Sequence, residues 1–224
     1  MPHTLPASSQ LRMLGLAALR LATTSAVFVT AYALSNHLTG LRSDIGKGVF
    51  EFERAIPFVP WTVVPYLSVI AFYVLSFFVG DRAARDRHAA RILVDLALSL
   101  GCYALFPLRF MFERPLPEGV CGVLFQLLGA CDLPYNRAPS LHISMLLILW
   151  LRLMPFVPAR CRALLHGWLA LIGVSVLTTY QHHLIDIPAG LAVGTLSVIL
   201  TSPRVAAWLA ALRSHRSAAV PATA

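Results

Sequence analysis

The chain has 224 residues, 58% hydrophobic and 12% charged, with a mean hydropathy of +0.72. Soluble domains carry roughly a quarter charged residues, so this composition excludes an ordinary soluble domain and implies several membrane crossings. The net charge of +8 then reads as membrane topology, not as nucleic-acid binding.

Crossing a ~30 Å hydrocarbon core takes roughly 20 apolar helical residues. In chain order, segments of about 14–34, 58–80, 91–108, 140–157, 163–180 and 184–202 qualify, which predicts an all-α bundle of six transmembrane helices. Arg20 interrupts the first segment near one end, from which its side chain can snorkel to the headgroups. It also splits the apolar run that a cleaved signal peptide would need, so this segment is expected to stay in the membrane. Asp95 interrupts the third, where Arg91, one turn away, offers it a partner. An acid inside a membrane is a functional suspect by default, but here a structural role is the better reading.

Orientation follows from the Lys and Arg bias of the loops. With both termini cytoplasmic, six of the 18 basic residues face out, namely Arg42, Lys47, Arg54, Arg109, Arg114 and Arg137, leaving twelve inside. Cys121 and Cys131 fall in an outward loop, where they could form a disulfide or remain two small thiols under an interfacial segment at 120–130. No Cys, His and carboxylate spacing matches a metal site. Residues 1–224 read as one domain, closing on a basic, alanine-rich tail from Arg204 to Ala224.

Under this topology three polar clusters meet at the outward face. Arg109 and Arg114 follow the third span, Pro139-Ser140-Leu141-His142 opens the fourth, and Gln181-His182-His183 with Asp186 opens the sixth. Guanidinium groups bind phosphate bidentately and stay charged. Ser140, where a helix begins, can cap that helix or donate to a phosphate oxygen, beside the partial positive charge of the first-turn amides. His182 and Asp186 are four apart, on one face if the sixth helix begins here, so that the carboxylate can hold the imidazole in one tautomer and ready it for attack on phosphorus. His142 is then placed to protonate a leaving group. His183, three residues before Asp186, could take the place of His182 or simply lie at the interface. The other histidines and the remaining basic residues read as interfacial groups.

These residues resemble the type 2 phosphatidic acid phosphatase superfamily of metal-independent lipid phosphatases and phosphotransferases. Its signature is a basic stretch ending in Arg-Pro, a Pro-Ser-Gly-His, and a Ser-Arg followed by His and, four further on, Asp. Arg114-Pro115, Pro139-Ser140-Leu141-His142, and Ser175-Val176 with His182 and Asp186 are the counterparts, within a core of about 105–190. The resemblance implies His182 as nucleophile, Asp186 as its partner, His142 as acid, phosphate binding by Arg109, Arg114 and Ser140, and no metal or cofactor. Departures stand at Pro107, where the family has Lys, at Leu141 for Gly, and at Val176 for Arg. Arg109 and Arg137 are the candidate substitutes. The pattern is similar to the branch of inositol phosphorylceramide synthases and related bacterial proteins.

The expected function is hydrolysis of a lipid phosphate, among membrane lipids, at the outer face of a bacterial inner membrane. Transfer to a lipid alcohol through the same phosphohistidine is the alternative. A non-catalytic phospholipid-binding or transport protein is a further one, as is a haem protein with His142 and His182 as axial ligands, which would be coloured.

Overall fold

The structure, a computed structural model, describes residues 7–131, 133–205, 207 and 208, with only the backbone of Ala7 and Cys131. The proposed Cys121–Cys131 pairing and most of the basic tail lie outside the described residues.

Described residues form α-helices and short 3-10 turns, with no strand among them. The helices are α1 (Ala7–Gly40), α2 (Val63–Ser76, entered through a 3-10 turn at Pro60–Thr62), α3 (Arg82–Leu105) and α4 (Gly119–Cys131). They continue with α5 (Leu141–Leu153, extended by a 3-10 turn at Met154–Phe156), α6 (Ala159–Thr178) and α7 (Asp186–Leu200). Ser8–Gly40, Arg82–Leu105 and Ala159–Thr178 are long and apolar enough to cross a membrane. A helix underlies each of the other three predicted spans, but those helices are shorter. The 15 residues of α7 rise only ~22 Å. Local sequence explains the shortening. Pro60 opens and Gly80, at φ +73°, follows the α2 region, Pro155 turns the end of α5 into a 3-10 helix, and Ser202-Pro203 follows α7.

Two long helices also outrun their predicted limits. Helix α3 begins at Arg82, not near 91, because the Asp81 side chain caps it by accepting from the Ala84 amide at 2.7 Å. Helix α1 runs on to Gly40, where it meets the loop that precedes α5. Past that end, Arg42 grips Asp44 through two hydrogen bonds and donates to the Ala104 carbonyl at the end of α3. The guanidinium holds the Asp44 carboxyl below its ordinary value.

Helix α5 is the axis of the packing. Its Met145 and Leu149 join Phe77 and Ile92, its Ile143 joins Tyr66 and Val176, and its Leu141 joins Leu96 and Tyr103. Around it sit α2, α3, α6 and α7, with α1 laid along α3. The outside of this bundle is apolar as well. Leu19, Val29, Leu34, Ile70, Leu164 and Ile199 are all exposed, far beyond the apolar patches of a soluble monomer and suited to hydrocarbon.

Several polar groups link one helix to the next. Arg20 bonds the Asp86 carboxylate of α3 as well as its own turn at Leu16. Arg91 does not pair with Asp95 as the sequence predicts. It reaches Thr201 at 3.1 Å, and the wholly buried Asp95 accepts from Ser144 of α5 at 2.6 Å. A carboxyl buried against a hydroxyl from the next helix is a cross-link in a medium where water cannot serve.

Closest of all is the approach of α7 to α5. A Cβ on Gly190 would lie 2.6 Å from the Ser140 carbonyl oxygen, and one on Gly194 would lie 3.0 Å from backbone atoms of Ser144. These glycines, four apart on α7, let two backbones touch, as small residues do between membrane helices. Gly190→Ala is therefore expected to cost about 1–3 kcal/mol, read as a lowered melting temperature in detergent, with Gly173→Ala, where a Cβ meets only a Leu146 methyl at 3.6 Å, as the benign control.

Candidate active site

The end of the bundle at which α5 and α7 begin gathers the residues singled out in the sequence. Helix α6 closes at Thr178, and the amides of Gln181 and His182 both fold back onto the Val176 carbonyl, at 3.1 and 3.0 Å. Tyr180 turns the chain at φ +54°, an unfavourable region for an aromatic residue. Its ring packs on Phe58 and Phe112, and its hydroxyl donates to the Ile56 carbonyl at 2.9 Å, which holds the turn.

This turn presents His182, whose Nδ1 lies 3.1 Å from the Asp186 carboxylate at the start of α7. A carboxylate accepts, so Nδ1 carries the proton and Nε2 keeps its lone pair. The same carboxylate oxygen accepts from the His183 amide at 2.8 Å, fixing the turn and the ring together. Ser140 caps α5 by accepting from the Ile143 amide at 3.3 Å, and its own amide donates to the Asp186 carbonyl at 3.1 Å. Its side chain is wholly buried, and its hydroxyl proton has no acceptor among the described residues. Two residues on, His142 stacks on Tyr66 of α2, with ring centroids 4.0 Å apart and planes 12° apart. Its Nε2 is buried with no hydrogen-bond partner among the described residues.

His142 and His182 line one end of a cavity of about 570 Å³. From there it follows α1 past Tyr32, Phe28 and Leu21, and α2 past Tyr66, Ile70 and Tyr73. From Tyr32 to Leu21 is eleven residues of helix, or ~16 Å. Apart from the histidines, Asn136, the tyrosines and Ser25, whose hydroxyl meets that of Tyr73 at 3.0 Å, the walls are aliphatic or phenylalanine. An elongated apolar slot ending at two imidazoles fits a molecule with a long hydrocarbon tail and a polar head.

The predicted arginines divide. Arg109 is exposed, and its side chain makes no hydrogen bond or ion pair among the described residues. Arg114, half-buried over the Phe110 ring, donates to the Tyr180 carbonyl at 2.7 Å. Arg137 is 1% exposed and donates to the carbonyls of Gln181 and Leu133, at 2.9 and 2.5 Å. Arg114 and Arg137 thus act on His182 through the backbone that carries it. At the positions of departure, Val176 is buried against Tyr66 and Ile143, and the Pro107 carbonyl accepts from the Gly46 amide at 2.8 Å. Gln181 is wholly buried, with neither end of its amide bonded to a described residue.

Comparison with family models, with curated proteins and with solved structures finds no match.

One pair escapes the sequence reading altogether. Glu53, 1% exposed, accepts from His183 Nδ1 at 2.8 Å, from the Leu184 amide at 3.1 Å and, through its other oxygen, from the Phe50 amide at 2.9 Å. The Met111 amide donates to His183 Nε2 at 3.2 Å, so that nitrogen is unprotonated and the ring is the Nδ1–H tautomer. Phe110 stacks on the ring at 4.4 Å. Both nitrogens of His183 are therefore engaged, whereas Nε2 of His182 is not. A Glu in the segment between α1 and α2 gives no local signal of this role, because its partner is 130 residues away. His183→Ala strands a buried carboxylate and is expected to destabilise by about 3 kcal/mol or more, measured by denaturant unfolding in detergent, whereas Glu53→Gln, which keeps an acceptor for the imidazole, loses less.

Proposed function

We propose that the protein is an integral membrane lipid phosphatase of the type 2 phosphatidic acid phosphatase kind, with six spans, cytoplasmic termini and its histidines at the outer face. The observation that carries this reading is the shared cavity. One end holds an imidazole with a free Nε2 and a carboxylate on its Nδ1, and a second imidazole with an unpartnered Nε2, while the remainder is an apolar slot.

In this reading the lipid tail occupies the slot between α1 and α2, and the phosphate sits at the histidine end. His182 Nε2 attacks phosphorus, and the ester oxygen leaves as the Nε2–P bond forms. His142 Nε2, buried without a partner among the described residues, takes up the proton carried in by a phosphate monoanion and gives it to that oxygen, and the leaving alcohol departs with it. Asp186 stabilises the positive charge that grows on His182, since Nδ1–H already points at it. Water then attacks the phosphohistidine, His142 takes the proton from that water, and phosphate is released with His142 reset. In this reading Ser140's hydroxyl proton, Arg109 and the amides of Leu141 and His142 serve as donors to the phosphate oxygens.

Transfer to a lipid alcohol uses the same first half and has one observation in its favour. The slot is almost wholly apolar, so a second lipid enters it more readily than bulk water does. Free phosphate that falls when an acceptor lipid is added marks the transferase, and unchanged phosphate marks the hydrolase.

His182→Ala is expected to abolish phosphate release from a panel of lipid phosphates in detergent, and His142→Gln to lower it by roughly 10²–10⁴-fold. Failure of both substitutions to reduce turnover sinks the reading. Vanadate, which adopts the five-coordinate geometry of the transition state, is expected to inhibit, and chelators are not. Filling the slot with Ile70→Trp should raise KM for a long-chain lipid phosphate and leave a short, water-soluble phosphate ester unaffected. Equal loss on both would place the tail elsewhere.

A further inference from the structure

The opposite end of the bundle carries a second cavity, unlike the first in kind. It holds about 250 Å³ and is lined by Arg87, His88 and Arg91 of α3, by Arg152 of α5, and by Pro155 and Phe156 of the following turn. Tyr103, whose hydroxyl donates to the Pro139 carbonyl, marks the histidine end of α3. Arg91 and Arg87 precede it by twelve and sixteen residues, or ~18 and ~24 Å along the helix.

Positive charge in this pocket is not balanced from within. No carboxylate lines it. Among the described residues the acids at this end are Asp81, which caps α3, and Asp86, which bonds Arg20 and lies near Arg82. The charges of Arg85, Arg91 and Arg87 all repel that of Arg152, against a single attraction from Asp81. Arg152 has a structural task, donating to the Ser76 and Val79 carbonyls at the end of α2, at 3.2 and 2.5 Å. Among the described residues Arg91 uses only its Nε, on Thr201. Arg87 makes no hydrogen bond or ion pair among the described residues, so the two guanidiniums leave most of their N–H donors to a ligand. His88 is 2% exposed, with Nε2 on the Ser76 hydroxyl at 2.7 Å and Nδ1 buried without a partner among the described residues.

Arginines that merely face lipid headgroups point outward and spread. Here they converge on a concavity with a fixed arginine at its back, and forked guanidiniums around a small polar hollow match the oxygens of a phosphate. We infer that this pocket is a binding site for a phosphate group, separate from the histidine site, supplied either by the headgroup of an anionic phospholipid or by free phosphate. The bound anion offsets the repulsion among the arginines and ties α3 to the end of α5. It does not depend on the reaction assigned to the other face.

The test is thermal unfolding of the whole protein in phosphatidylcholine nanodiscs, first titrated with inorganic phosphate, then with phosphatidylglycerol replacing part of the lipid. A rise in melting temperature is expected in at least one titration. A rise with inorganic phosphate names the free anion, and a rise with phosphatidylglycerol alone names the headgroup. Arg87→Gln and the double variant Arg87→Gln/Arg91→Gln are expected to need roughly tenfold more ligand, or beyond, per arginine lost. Arg87 is exposed and unbonded, so its single variant tests the pocket without disturbing the fold. The titration is repeated in His182→Ala, where the response should persist. No rise in either titration, a rise that the arginine variants keep, or a rise lost in His182→Ala each overturns the inference.

Discussion

Everything at the histidine end rests on the contact between the first turns of α5 and α7. The Ser140 amide donates to the Asp186 carbonyl, and Gly190 has no side chain to hold the two backbones apart. That contact places the cap of α5 beside the carboxylate that orients His182. The backbone groups of Ser140, Gln181, His182 and His183 are buried and find partners within the chain, and these partners fix one another. The geometry around His182 follows from this mutual satisfaction. Asp186 serves at once as first residue of α7, acceptor for a backbone amide and partner of an imidazole.

Two adjacent histidines with two buried carboxylates show how similar pairs take on different work. His183 spends both nitrogens, on Glu53 and on the Met111 amide, and is flanked by Phe110 and Phe112. It joins the loop at 50–55, the segment after α3 and the turn before α7. His182 spends one nitrogen and keeps the other at the cavity wall. The same economy applies to the arginines. Arg114 and Arg137 hold the Tyr180 and Gln181 carbonyls, so they stiffen the turn while leaving positive charge beside it, whereas Arg109 stays free at the surface.

The bundle is polarised along its helices. An apolar slot opens toward the histidines, and a cationic hollow lies at the other end, with a hydrogen-bonded middle where Asp95 and Ser144 join α3 to α5. Helix α3 passes through all three zones, which gives one rigid element contact with both ends.

Composition and hydrophobic runs alone determined that the chain is helical and apolar on its outside, because hydropathy over some twenty residues is a local property of the chain. The pairing of His182 with Asp186 was suggested by their spacing, but α7 begins only at Asp186, so the folded turn that carries His182, and not a helix face, makes the contact. Helix limits were less so, because the Asp81 cap and the turns at Gly80 and Pro155 weigh more than hydropathy at the ends. What only tertiary structure decided is which polar group meets which. Arg91 turned to Thr201 and left Asp95 to Ser144, Arg137 was drawn inward to a carbonyl, and Glu53 reached His183 across 130 residues. Such partners are chosen by how helices pack and by the penalty for leaving any polar group bare in a dry interior, and neither is written in the neighbourhood of a single residue.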